Sequence, residues 1–278
     1  MDNSTLQNCL ALHTWTLDTT PLAEVLRIVR KTEWNAVELR RIDFTRAHAA
    51  GMTNDQVLDL VRASGVKVAT LGVEPGCLFA KDAEKRRLFD GFTESCADAI
   101  ALSCDLLMTA PGPAIGGTVR EAAASLREMG DIAQAHGLRL AVEFSSGHDV
   151  INRLAAGREL LALADHPNCG LLLDAYHLER TGAGGRGFED VPARDIFAFQ
   201  YSDVPPAPAP TESRRPVDRL PPGQGVVRWR EIFQLLREKN YTGYLSYEAP
   251  NPAQWARPPE DVAREGIAAT RALLAAVE

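Results

Sequence analysis

Short β-rich runs recur eight times along this chain, and the segments between them carry apolar residues at helical spacing. The runs cover 9–13, 36–39, 66–71, 106–109, 139–144, 170–174, 196–201 and 243–248. Leu22, Val25, Leu26 and Val29 form one apolar stripe between them, and Val57, Leu60 and Val61 another. Pro21 stands where a first helical turn would begin, and Gly65 and Gly137 fall after helices and before strands. Strands that alternate with helices run parallel, so the choice lies between a doubly wound sheet and a closed barrel. A dinucleotide-binding sheet would need GxGxxG after an early strand, whereas the first run leads into Thr14-Trp15-Thr16-Leu17. Eight units favour a single (β/α)8 TIM barrel, class α/β.

No composition break marks a linker, so residues 1–278 are expected to form one domain, a length close to the roughly 250 residues of such barrels. A net charge of −7 argues against a nucleic-acid surface, which needs clustered Lys and Arg. Five scattered cysteines without CxxC spacing suggest neither a disulfide framework nor a zinc ribbon, but buried thiols in a reducing compartment. The first residues lack a basic stretch followed by an apolar one, and no run of about 18 apolar residues occurs. A cytoplasmic protein without a membrane partner is expected. The proline-dense stretch 203–225 cannot be helical and follows the seventh run, so it is expected to cover the substrate over the C-terminal face; a plain surface excursion is the alternative.

Reactive groups of such barrels stand at the C-terminal ends of strands. Four consecutive runs end in an oxygen ligand: Glu143, Asp174, Gln200 and Glu248. A lone carboxylate at a strand end is commonly just solvated or caps a helix. Four on neighbouring strands about 4.8 Å apart would form an arc around one point, where three carboxylates repel one another unless a cation is present. Oxygen ligands of this kind suit Mn2+ or Mg2+, and Co2+ or Zn2+ are compatible with the ligand types. His177, three residues after Asp174, reaches the same mouth if a helical turn begins there; capping or packing is its bland alternative. His13 and Glu38 end the first two runs on the pocket face and are expected across the barrel from the metal. Glu74 and His148 lie in loops, where solvent exposure is the common fate, and Arg214, Arg215 and Arg219 read as solvated surface that can meet an anion.

Ala141-Val142-Glu143-Phe144, Leu171-Leu172-Leu173-Asp174-Ala175-Tyr176-His177, Pro222-Gly223-Gln224-Gly225 and Ser246-Tyr247-Glu248 together resemble the sugar-phosphate isomerase/epimerase family of xylose-isomerase-like barrels. Within it they are most similar to bacterial inosose isomerases, from about Leu138 to Glu248. The resemblance implies that Glu143, Asp174 and Glu248 bind the metal, that His177 contacts substrate, and that Glu143 and Glu248 also act as acid and base. The family's fourth ligand is commonly histidine, and Gln200 holds that position here. Hydroxypyruvate-isomerase-like members share the glutamine and a Gln-x-x-Asp-Val-Pro run, which residues 200–205 match.

The expected activity is a divalent-metal-dependent isomerisation or epimerisation of a ketose, keto-inositol or related polyol through an enediolate. A metal-dependent lyase or dehydratase acting on a keto-sugar or dehydroshikimate-like substrate is the alternative. A DNA-repair endonuclease on this barrel would require more histidine ligands than His13, His148 and His177, and intact Glu143, Asp174 and Glu248 argue against a non-catalytic binder. No nicotinamide, flavin or phosphate-cradle motif is present. Dimers and tetramers are common for such barrels, and the sequence does not choose an assembly.

Overall fold

A computed structural model describes residues 4–114, 116–206 and 216–277. Its centre is a closed barrel of eight parallel strands in chain order: β1 (Leu10–His13), β2 (Ala36–Arg40), β3 (Lys67–Gly72), β4 (Leu106–Thr109), β5 (Arg139–Glu143), β6 (Cys169–Asp174), β7 (Ile196–Tyr201) and β8 (Leu245–Tyr247). The last strand pairs with the first, Ala11 opposite Ser246, so no sheet edge is left open. The sequence-based runs match these strands to within a residue or two at each end, the ordinary uncertainty of a fraying terminus. Glu248 stands one residue past β8, yet its backbone N–H still donates to Tyr201 O at 3.0 Å.

The intervening helices bury one stripe against the barrel wall. Helix Leu22–Lys31 buries Val25, Leu26, Ile28 and Val29, each such side chain contributing about 1.5–3 kcal/mol. Helices Asn54–Ser64 and Val119–Ala135 begin with reciprocal caps, Thr53 with Gln56 and Thr118 with Glu121, which satisfy otherwise unpaired first-turn N–H groups. Gly65 ends the former at φ 68, a left-handed conformation that costs glycine little.

Strand side chains alternate between this outer layer and the barrel interior. Leu10, Leu12, Leu140, Val142, Leu171 and Leu173 join the large core under the helices. The inward positions instead form two separate small clusters: Ala11, Ala36 and Ala69 in one, and Leu106, Met108, Ala141, Leu172 and Ala198 in the other. Two residues on from these inward positions stand His13, Glu38, Glu143, Asp174 and Gln200. The same period that fills the lower barrel with apolar side chains therefore aims the polar ones into its upper mouth.

Candidate active site at the barrel mouth

The mouth gathers every strand-end residue singled out from the sequence, all of them out of solvent: His13, Glu38, Glu143, Asp174, His177, Gln200 and Glu248. Asp174 closes β6 and caps the helix Ala175–Arg180 by accepting from Tyr176 N at 2.9 Å through Oδ1. That cap starts a helical turn and swings His177 back over the strand end. Carboxylate oxygens of Glu143 and Asp174 and a ring nitrogen of His177 lie within 4.8 Å of one another.

The two histidines are held in one tautomer by the backbone. His177 Nδ1 accepts from Ser146 N at 3.1 Å, so in the neutral ring the proton sits on Nε2, 3.6 Å from Glu143 Oε1 and 3.8 Å from Asp174 Oδ2. Arg219 Nη2, itself a donor, also faces this Nε2 at 3.5 Å; with Nδ1 accepting from Ser146 N, the ring presents Nε2–H toward the carboxylates of the pocket. His13 Nδ1 accepts from Trp15 N at 3.0 Å, leaving its Nε2–H 3.4 Å from Glu248 Oε1 and 3.7 Å from Glu38 Oε1. Burial pushes His177 down to about 4 and His13 well below its usual value, so both rings are neutral at pH 7.

One sequence-based placement is sharpened and another needs correction. His13 and Glu38 stand on β1 and β2, opposite β5 and β6 in the barrel, yet their side chains meet the other residues of the mouth: the β1–β8 closure brings His13 onto Glu248, and Gln200 Nε2 donates to Glu38 Oε1 at 2.8 Å. Arg219 is not a solvated surface residue. It is 1% exposed, with Nη1 2.7 Å from Asp174 Oδ2 and 2.9 Å from Glu248 Oε2. Its guanidinium also covers the Tyr176 ring at 4.5 Å and donates to Glu248 O at 3.2 Å. Arg214 and Arg215 lie outside the described residues.

Arg219 arrives on the return limb of the proline-rich stretch, which is fastened to the barrel rim. Asp203 and Leu220 form an antiparallel bridge, N–H to O at 2.8 and 3.0 Å. The Asp203 carboxylate then accepts from Val204 N, Gly223 N, Val227 N and Trp229 Nε1 at 2.8–3.0 Å. Gly225 passes so close to this carboxylate that a Cβ there would come within 2.4 Å of Asp203 Oδ1. Asn251 Nδ2 holds Arg219 O at 3.0 Å, and Asp218 accepts from Tyr176 Oη and Arg180, each at 2.6 Å. Half-buried His148 stacks on Phe79 at 5.3 Å, and Glu74 pairs with Arg87.

Four carboxyl groups therefore share the mouth, out of water, with the buried Arg219 guanidinium, and Arg40 acts on Glu248 from β2. Burial, with Glu248 and Asp174 adding to it, raises Glu143 well above the usual carboxylate range. Burial raises Glu248 to about 7 although Arg219 pulls it down, and raises Glu38 to about 8. Burial opposes the charge on Arg219, but Asp174 and Glu248 outweigh it and hold the guanidinium protonated. Glu143 Oε1 and Gln200 Oε1 are buried without a hydrogen-bond partner. Unpaired buried oxygens beside excess negative charge fit a divalent cation.

A family model described as xylose isomerase-like TIM barrel matches residues 26–273. The chain belongs to this family. An inosose isomerase of Halalkalibacterium halodurans is 22% identical over 244 residues, 85% of this chain and 86% of that protein. A 3-dehydroshikimate dehydratase of Pseudomonas aeruginosa is 28% identical over 182 residues, 65% of this chain but 28% of that larger protein. A solved structure of the IolI protein with a bound zinc atom superposes with a TM-score of 0.85 at 19% identity, covering 97% of this chain and 99% of that one. Its likeness reports the fold. Among the described residues, no helix of this xylose isomerase-like barrel is long and apolar enough to cross a membrane.

Proposed function

We propose that this chain is a divalent-metal-dependent isomerase or epimerase of a ketose, keto-inositol or related polyol, with Glu143 and Glu248 as the acid/base pair. The observation that carries the reading is the pair itself: two buried glutamates with raised proton affinity, each approached by a histidine Nε2–H, at one barrel mouth. The names of the inosose isomerase and dehydratase relatives support the same substrate class.

Glu143, Asp174, Gln200 and Glu248 are the residues that would hold the cation. Mn2+ or Mg2+ matches their oxygen atoms, and the zinc in the IolI structure keeps Zn2+ in view. When bound, such a cation supplies Lewis acidity that polarises a carbonyl and acidifies the neighbouring C–H.

The rest is done by the chain. One glutamate takes the proton from the carbon next to the carbonyl, leaving an enediolate, and the other returns a proton to that carbon's opposite face or to the adjacent carbon. The first outcome is epimerisation; the second is isomerisation, in which the hydroxyl proton also passes from one enediolate oxygen to the other, and neither changes the atom count. A glutamate near pKa 7, as Glu248 is, serves in either role at neutral pH. His177 donates Nε2–H to a substrate oxygen, His13 steadies Glu248, and Arg219 offers its guanidinium to developing negative charge. The return limb fastened by Asp203 brings the Arg219 guanidinium onto Asp174 and Glu248.

Incubation with keto-inositols and ketoses, with metal removed and restored, tests the reading. A new carbonyl compound of unchanged mass supports it. Loss of water would assign the dehydratase reaction to the same residues, and turnover without metal would sink both.

A further inference from the structure

We propose that Glu38 is the positioning residue that fixes which end of the Gln200 amide faces the cation, an inference that rests on the metal-dependent reading above. Among the oxygen ligands of the mouth, Gln200 is the one whose two ends differ chemically. A carboxylate can turn over and still offer oxygen, whereas an inverted amide would offer NH2 to a cation and repel it.

The geometry resolves this ambiguity. Gln200 and Glu38 are each 1% exposed, and the 2.8 Å bond from Gln200 Nε2 to Glu38 Oε1 joins β7 to β2, strands separated in the barrel by β8 and β1. Glu38 Oε1 is the acceptor of that bond, and a second donor faces the same oxygen. His13 Nε2, the nitrogen left with the proton once Trp15 N occupies Nδ1, stands 3.7 Å away. With the NH2 group engaged by Glu38, the amide oxygen is left over, and it is buried without a hydrogen-bond partner. The pairing of Asp174 with Gln200 sets the two residues side by side on adjacent strands. The Glu38 carboxyl group thus orients an amide ligand as carboxylates elsewhere orient ligating imidazoles, support whose loss typically weakens metal binding about 10–100-fold.

The test is a double-mutant cycle on Mn2+ affinity measured by titration calorimetry, with Mn2+ as the only ligand. Glu38→Met should bind Mn2+ about 10–100-fold more weakly than the wild-type chain, and Glu38→Gln, which keeps an accepting oxygen, should recover most of that loss. In a Gln200→Ala background the same Glu38→Met change should have almost no further effect, since no amide remains to be oriented. An equal loss in both backgrounds would show that Glu38 acts only through its charge, and no loss in either would show that it does not act; both overturn the proposal. Asp174→Ala serves as the reference for the parent reading. If wild-type chain fails to bind Mn2+, or Asp174→Ala binds it as well as wild type, the metal site itself is refuted together with this inference. If those controls behave and only the cycle fails, the metal site stands and Glu38 loses its role.

Discussion

Arg219 Nη1 lies 2.7 Å from Asp174 Oδ2, with both side chains out of solvent. A guanidinium on a proline-rich return limb is thereby the resident counter-charge of a carboxylate cluster on the barrel strands. Removing one partner of a buried ion pair strands the other, at a cost of about 3–5 kcal/mol. Arg219→Met is therefore expected to lose that much unfolding free energy in urea at neutral pH. A surface arginine would give a change within about 0.5 kcal/mol, and a result that small would remove Arg219 from the site.

Asp203 is the second point of leverage on the same limb. Its carboxylate collects four N–H donors, two on each oxygen, so an amide in its place would turn NH2 against at least one of them. Asp203→Asn is expected to destabilise by on the order of 3 kcal/mol through lost charge-assisted bonds and a buried mismatch. The Trp229 emission should shift, because its indole N–H loses the Asp203 Oδ2 partner. Hydrogen exchange should quicken at Leu220, whose amide bonds to Asp203 O. An unchanged spectrum and unchanged exchange would mean that the strap is held by something else.

The barrel was legible because two periods, about 3.6 and 2, are written along the whole chain. The mouth was legible in part. The period of two that puts Ala141, Leu172 and Ala198 inside the barrel also puts Glu143, Asp174 and Gln200 there, so parity along each strand points to the same residues as strand-end position does. Parity puts His13 and Glu38 on the pocket face, but not their contacts with Glu248 and Gln200, because closure of β1 against β8 is a contact between chain ends that no local pattern records. Arg219 was hidden for a related reason. A lone arginine among prolines reads as solvated until the Asp203–Leu220 bridge folds the strap back over the strands.

Titration of the mouth sets a sign for stability against pH in the metal-free chain. Burial holds Glu248 at about 7 and Glu38 at about 8 when folded, above their values in the unfolded chain, so the folded state keeps protons that the unfolded state has released. Stability then falls as pH rises through these values. His177, pushed down to about 4, works in the opposite direction, but only between 4 and its ordinary value of 6.5, where the unfolded chain binds the extra proton. Above about pH 6.5 the histidine contribution is therefore constant and the carboxyl contribution alone remains. Thermal melts of the metal-free chain should show Tm declining from pH 6.5 to 8.5, and a divalent cation should flatten the decline by favouring the charged carboxylates. A Tm that rises over this interval without metal would contradict the charge crowding described for the mouth.

Glu143 and Glu248 differ in what surrounds them, and the difference makes their roles separable. Glu248 has Arg219 at 2.9 Å and His13 Nε2 at 3.4 Å, whereas Glu143 has an unpaired oxygen and His177 Nε2 at 3.6 Å. Glutamine at either position keeps size and an oxygen that can still face a cation, but it can neither take nor return a proton. Each variant should retain metal and lose turnover by about 10²–10⁴-fold, the usual contribution of a positioned acid or base. Deuterium exchange from solvent into recovered substrate then distinguishes the two. The variant lacking the group that removes the proton should show neither exchange nor product, and the variant lacking the group that returns it should exchange substrate deuterium without forming product. Near-normal product formation in either variant would show that this glutamate moves no proton. Exchange that persists in both would place the first proton transfer on another residue of the mouth.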